Sequence, residues 1–136
     1  MSIEPLHPEG WKAAKGYSNG MVVSGEASLV FTAGQVAWNS EQELVGAGEF
    51  VAQFRQALRN VVEVVREAGG KPEHLVRLTI YVTDKQQYLD ELSGVGAAYR
   101  EVVGRHFPAM ALVQVAGLLE PGALVEIEGT AAVPRS

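Results

Sequence analysis

Alternation of apolar and polar positions marks five extended segments, and a period near 3.6 marks two helices among them. "MVVSG" (21–25) and "SLVFTAGQVAW" (28–38) are extended runs separated by a short polar break, which predicts a hairpin. From Glu49 the spacing turns helical. Phe50, Phe54, Ala57, Leu58, Val61, Val65 and Ala68 share a stripe, and Gly69-Gly70 supply its stop. "HLVRLTIYVT" (74–83) returns to period two, with Val76, Leu78, Ile80 and Val82 on an apolar face and Arg77, Thr79, Tyr81 and Thr83 on a mixed one. Asp84 or Thr83 is suited to cap a second helix whose stripe is Tyr88, Leu92, Val95, Tyr99 and Val102. Gly94 and Gly96 weaken that helix by roughly 1 kcal/mol each relative to alanine, and glycine there would let a neighbour approach closely. "AMALVQVAG" (109–117) is apolar on both faces, "LLEPG" turns, and "ALVEIEGTAAV" (123–133) closes the sheet.

The order β-β-α-β-α-β-β, with residues 1–19 irregular, implies an α+β fold: one sheet with both helices on one face, in a single domain spanning residues 1–136. The other face should then meet water. The strand over 109–117 is dry on both sides, and two helices cannot cover both faces, so self-association is expected.

Composition narrows the partners. A formal charge of −5 with scattered arginines gives no electrostatic footing for nucleic acid. The absence of cysteine excludes disulfides, thiolate metal sites and a cysteine nucleophile. No apolar run approaches ~18 residues, which disfavours a membrane span, and "MSIEPLHPEGWK" lacks the apolar core of a signal peptide. A soluble cytoplasmic protein is the expectation. His7, His74 and His106 have no ligand spacing, so no metal site is expected. Ser18, Ser24 and Ser28 lack a nucleophile-elbow context, and "VSGEAS" lacks the lysine and following helix of a phosphate loop.

The stretch "LVEIEGTA" raises the chemical question. It reads as a strand, yet Glu126 and Glu128 are two apart and share a face. A carboxylate in an apolar cleft titrates closer to neutrality and can work as a general base. Glu126 also admits a structural reading, as an acceptor for main-chain N–H groups at a seam. Glu128 is expected to be a solvated or salt-bridged edge residue.

"GYSNG", "FTAGQVAWN", "LRNVVEVVREAGG", "LVRLTIYVTD", "FPAMALVQVAGL" and "VEIEGTAA" stand in the order and spacing of the RidA/YjgF family, the Rid superfamily, which the chain resembles from about Gly16 to Val133. The resemblance implies a chorismate-mutase-like fold and a homotrimer whose open sheet faces pack together, with clefts between subunits. It also implies hydrolysis of reactive enamine or imine intermediates to a keto acid and ammonia, with no cofactor. Other members carry ribonuclease, translation-inhibitor or chaperone-like descriptions. The family's N-terminal tyrosine falls on Tyr17, its strand glycine on Gly34 and its catalytic-site glutamate on Glu126. Its carboxylate-gripping arginine falls on Met110 and its second-helix asparagine on Gly96, so the chain resembles a divergent member.

Methionine offers no donor to a carboxylate, whereas an arginine fork pairs with one bidentately. A cleft with Met110 and Leu112 beside Glu126 therefore fits a neutral or more apolar ligand, with main-chain groups at Gly34 and Ala111 holding its polar atoms. Tyr17 is suited to donate to a developing charge or to stack. Arg100 and Arg105 are the candidates for a substitute cation, although a solvated helix end is the expected home of both. The expectation is thus action on a small metabolite in intersubunit clefts, by hydrolysis (deamination) of an imine or enamine that is not anchored by its carboxylate in the usual way. The alternative is a noncatalytic ligand-binding or chaperone-like trimer, and nuclease action ranks third.

Overall fold

The computed structural model describes residues 1–135. In chain order its elements are β1 (Ser2–Leu6), β2 (Gly20–Ser24), β3 (Ala27–Phe31), α1 (Phe50–Glu67), β4 (Leu75–Val82), α2 (Lys85–Asp90), α3 (Leu92–Val102), β5 (Ala109–Gln114) and β6 (Val125–Pro134). The fold is α+β, as the sequence predicts. Its main sheet has the order β3-β6-β4-β5, with β4 and β5 parallel and β6 antiparallel to β3 and β4.

Four local expectations are corrected. The predicted hairpin of 21–25 with 28–38 does not form. β2 pairs instead with β1, inside the segment read as irregular, as a separate two-stranded ribbon. β3 stops at Phe31 and pairs with the distant β6, while residues beyond it keep only isolated bridges such as Gln35 with Ile127. Partner choice between strands is set by packing across the fold and not by sequence proximity. The second helix is two helices. Asp84 caps the first, its carboxylate accepting from the Gln86 N–H at 2.9 Å, and Glu91 at φ −124° separates α2 from α3. In β4 the register shifts between Leu75 and Arg77. This bulge turns Leu75 inward beside Leu78, in place of the expected Val76.

The core lies between the helices and one face of the main sheet. Phe54, Leu58, Val61 and Val65 from α1 meet Leu78 and Val82 from β4, Val125 and Ile127 from β6, and Val95 and Tyr99 from α3. Gly94 admits α1 closely, since a Cβ there would stand 3.0 Å from Val51 Cγ2.

Polar residues of α1 anchor the loop after β3. Fully buried Gln53 donates to the carbonyls of Gly46 and Gly122 at 3.2 and 3.1 Å and accepts from the Leu124 N–H at 2.8 Å. Asn60 donates to the carbonyls of Val36 and Trp38 at 3.1 and 2.8 Å, and Gln56 donates to Asn60 Oδ1 at 2.9 Å. Every side-chain polar group of Gln53 is thereby satisfied, which removes the cost of burying it. These bonds fix the loop that carries Gly34 against β6.

Candidate functional site

Residues two apart on a strand face the same way, so β6 presents Glu126, Glu128 and Thr130 to the face away from the helices. In register beside them on β4 stand Tyr81, Thr79 and Arg77. Beyond these lie Val113, Ala111 and Ala109 of β5. Leu29 and Phe31 of β3 complete this open face, 58% and 72% exposed. Glu128 is not at an edge, because β6 lies between β3 and β4. Its Oε1 accepts the Tyr81 hydroxyl at 2.6 Å. That bond, followed by desolvation and the charges of Glu128 and Glu126, raises the Tyr81 pKa above its usual value, while Arg77 opposes the shift. The shared face of the two glutamates is thus explained: one is tied to a phenol, and Glu126 is left facing outward at the end of the row.

Glu126 and Gly34 are brought together. The loop after β3 bridges to β6 through Gln35 N–H to Ile127 O at 2.8 Å and Ile127 N–H to Gln35 O at 2.9 Å. This lays Gly34 against the Glu126 side chain so closely that a Cβ at 34 would stand 2.8 Å from the carboxyl carbon. Gly34 itself is exposed. Only glycine permits that approach without displacing the carboxylate.

Met110 and Gly96 are also brought together, but on the helix side of the sheet. They line a cavity of about 310 Å³ with Ile80, Tyr88, Tyr99 and Arg100. Phe107 stacks on Tyr99 at 5.3 Å between ring centroids and forms one wall. Tyr99 donates its hydroxyl to His106 O at 2.6 Å, and burial pushes its phenol well above the ordinary pKa. Gly16 reaches the rim of the cavity because Ser18 docks on the entry to β5, its N–H bonded to Pro108 O at 3.1 Å.

The remaining candidates lie apart. Ala111 sits on the open face in the row of Thr79 and Glu128. Leu112 packs against the core on the helix side. Tyr17 is 44% exposed in a groove with Leu6, His7 and Asn19. Within one protomer, then, Glu126 with Gly34 and Met110 with Gly96 occupy opposite faces of the sheet. The three histidines are engaged by the main chain: His7 with Trp11 O, His74 with the Lys71 N–H and His106 with Leu75 O. Among the described residues no helix is long and apolar enough to cross a membrane.

Sequence reasoning missed Gln53, Asn60 and Tyr81. The first two are polar residues inside a helical motif, and only a buried polar position on the apolar stripe of α1 could have flagged Gln53. Tyr81 appeared on the mixed face of its strand without a partner, since strand pairing was not known.

Known proteins resemble this chain in both sequence and fold. A family profile described as Endoribonuclease L-PSP matches residues 8–133. The 2-iminobutanoate/2-iminopropanoate deaminase of Salmonella typhimurium is 36% identical over 107 residues, which are 76% of this chain and 79% of that one. A conserved Rid family protein, YyfB from Yersinia pestis, superposes with TM-score 0.82 at 35% identity, covering 98% of this chain and 100% of that one. The Escherichia coli YjgF product superposes with TM-score 0.65 at 33% identity, covering 95% and 98%. The chain belongs to the RidA/YjgF family, the Rid family of these relatives.

Proposed function

We propose that this chain deaminates a small imine or its enamine tautomer by hydrolysis, in clefts between the subunits of a cytoplasmic homotrimer. The observation that carries this reading is the Glu126 carboxylate seated on Gly34, outward-facing, on a sheet face that also exposes Leu29 and Phe31. Those apolar groups call for a covering surface, which neighbouring copies in a cyclic trimer supply. The opposite-facing cavity around Met110 and Gly96 would then be completed by the Glu126 half of a neighbouring protomer. The relative named a 2-iminobutanoate/2-iminopropanoate deaminase supports the reaction class.

The chemistry balances without a cofactor. Glu126 accepts a proton from water as the oxygen adds to the imine carbon. Glu126 passes that proton to the nitrogen, giving a carbinolamine, then carries the hydroxyl proton to the same nitrogen, and the C–N bond breaks so that ammonia leaves as the carbonyl forms. Gly34 and Ala111 offer main-chain groups to polar atoms of the ligand, and Tyr17 lends a phenol from the N-terminal segment. General acid–base assistance of this kind is worth about 10²–10⁴-fold. The test is the decay of a freshly generated 2-imino acid followed with and without protein. Acceleration that is lost in Glu126→Gln is the expected result; no acceleration by the unaltered protein overturns the reading.

The 310 Å³ cavity favours one second reading. Its largely apolar wall suits a noncatalytic binder of small molecules, which would protect its ligand instead of consuming it. Nuclease action is disfavoured by the charge of −5.

A further inference from the structure

Arg100 is the one charged side chain, among the described residues, that lines the mostly apolar helix-side cavity. We propose that Arg100 determines ligand specificity there by binding the carboxylate of a small, otherwise apolar molecule. This rests on the reading that the cavity holds the metabolite, and it replaces the neutral ligand expected from Met110 with an anionic one.

Three observations support the assignment. First, the guanidinium lies against the space that a missing side chain leaves in the cavity wall. Gly96 and Arg100 are four apart on α3 and share a face, and a Cβ at 96 would stand 3.2 Å from Arg100 Nη1. Second, the helix offers Arg100 no carboxylate. The residues three and four positions away are Gly96, Ala97, Val103 and Gly104, and the adjacent Glu101 is taken by Arg55 and Arg59 at 3.0 and 2.6 Å. Among the described residues no acidic group lies within 4.0 Å of the Arg100 guanidinium, unlike those of Arg55, Arg59 and Arg66. Third, Met110, Ile80 and Phe107 face the same space. A fork beside apolar walls holds a planar anion more tightly than one in open water. Arg105, the other candidate, borders a different groove with Ile3 and Met21.

The test is a binding titration of the intact protein with 2-oxobutanoate and with butanone, which has the same carbon chain length and a carbonyl but no carboxylate. The unaltered protein should bind the acid at least about tenfold more tightly than the ketone. Arg100→Met should abolish that preference, and Arg100→Lys should restore part of it, as a point charge replaces a fork. Arg100 is exposed, so neither change threatens the fold. Equal affinity for the two probes, no saturable binding of the acid, or an acid preference that survives in Arg100→Met overturns the proposal. Binding is read without turnover. A protein that prefers the acid but leaves imines intact would therefore sink the deaminase reading alone. One that hydrolyses imines with no acid preference would sink only the role of Arg100.

Discussion

The two faces of the four-stranded sheet are built from the same strands and have opposite characters. The helix side is finished by the chain itself: Leu78, Val82, Val125 and Ile127 are fully buried under α1 and α3. The open side alternates Glu126, Glu128, Tyr81 and Arg77 with exposed Leu29, Phe31 and Val113. A strand's period of two lets one segment serve both faces, with every second residue of β6 holding the fold and the others left outside the core. Stability and function are therefore separable by substitution at adjacent positions.

The largest separation is expected within β6. Glu126→Gln keeps shape and should lower imine turnover by about 10²–10⁴-fold with the melting temperature unchanged, whereas Ile127→Ala next to it should cost about 2–5 kcal/mol of stability. Denaturant unfolding and an imine-decay assay on both variants check the pair. Gly34→Ala should resemble Glu126→Gln, because the added methyl displaces the carboxylate; full activity in this variant would show that the contact is idle.

Next in size is the buried amide of α1. Gln53→Leu leaves the Leu124 N–H and the Gly122 carbonyl without partners, while the Gly46 carbonyl keeps the Glu49 N–H. About 1–3 kcal/mol should be lost for each uncompensated group, measurable by chemical denaturation. On the open face, Phe31→Ser should spare the secondary structure seen by circular dichroism while lowering the mass of the assembly in sedimentation.

The smallest effect is a pH dependence. The unfolded chain releases a tyrosine proton near pH 10, while the buried Tyr99 phenol holds its proton to higher pH. Its contribution to stability is present in full below about pH 10 and is lost as pH rises beyond it. Tyr99→Phe should flatten this alkaline limb, at the loss of its bond to His106 O, and stability curves between neutral and strongly alkaline pH compare the two.

The sequence made some of this legible. The α1 stripe and the Asp84 cap are local patterns and were readable, as was the outward pair of glutamates in the last strand. The β1–β2 ribbon, the bulge at β4 and the central place of β6 depend on which strands meet across the fold, which no local period encodes. For the site, resemblance pointed to Glu126, Gly34, Met110 and Gly96. Pattern alone could not reveal that they lie as two pairs on opposite faces of the sheet. Arg100 looked like a solvated helix residue until Gly96 was seen beneath it.

The proposed seam between subunits is tested most directly by mixing two proteins that the proposal expects to be inactive. Glu126→Gln lacks the carboxylate half, and Gly96→Leu fills the cavity half with a good helix former. Neither alone should hydrolyse an imine. Unfolded and refolded together, they should recover roughly a quarter of the original activity, since random pairing in a cyclic trimer joins an intact carboxylate half to an intact cavity at about that frequency. A mixture that stays as inactive as its parts would contradict a site shared between protomers.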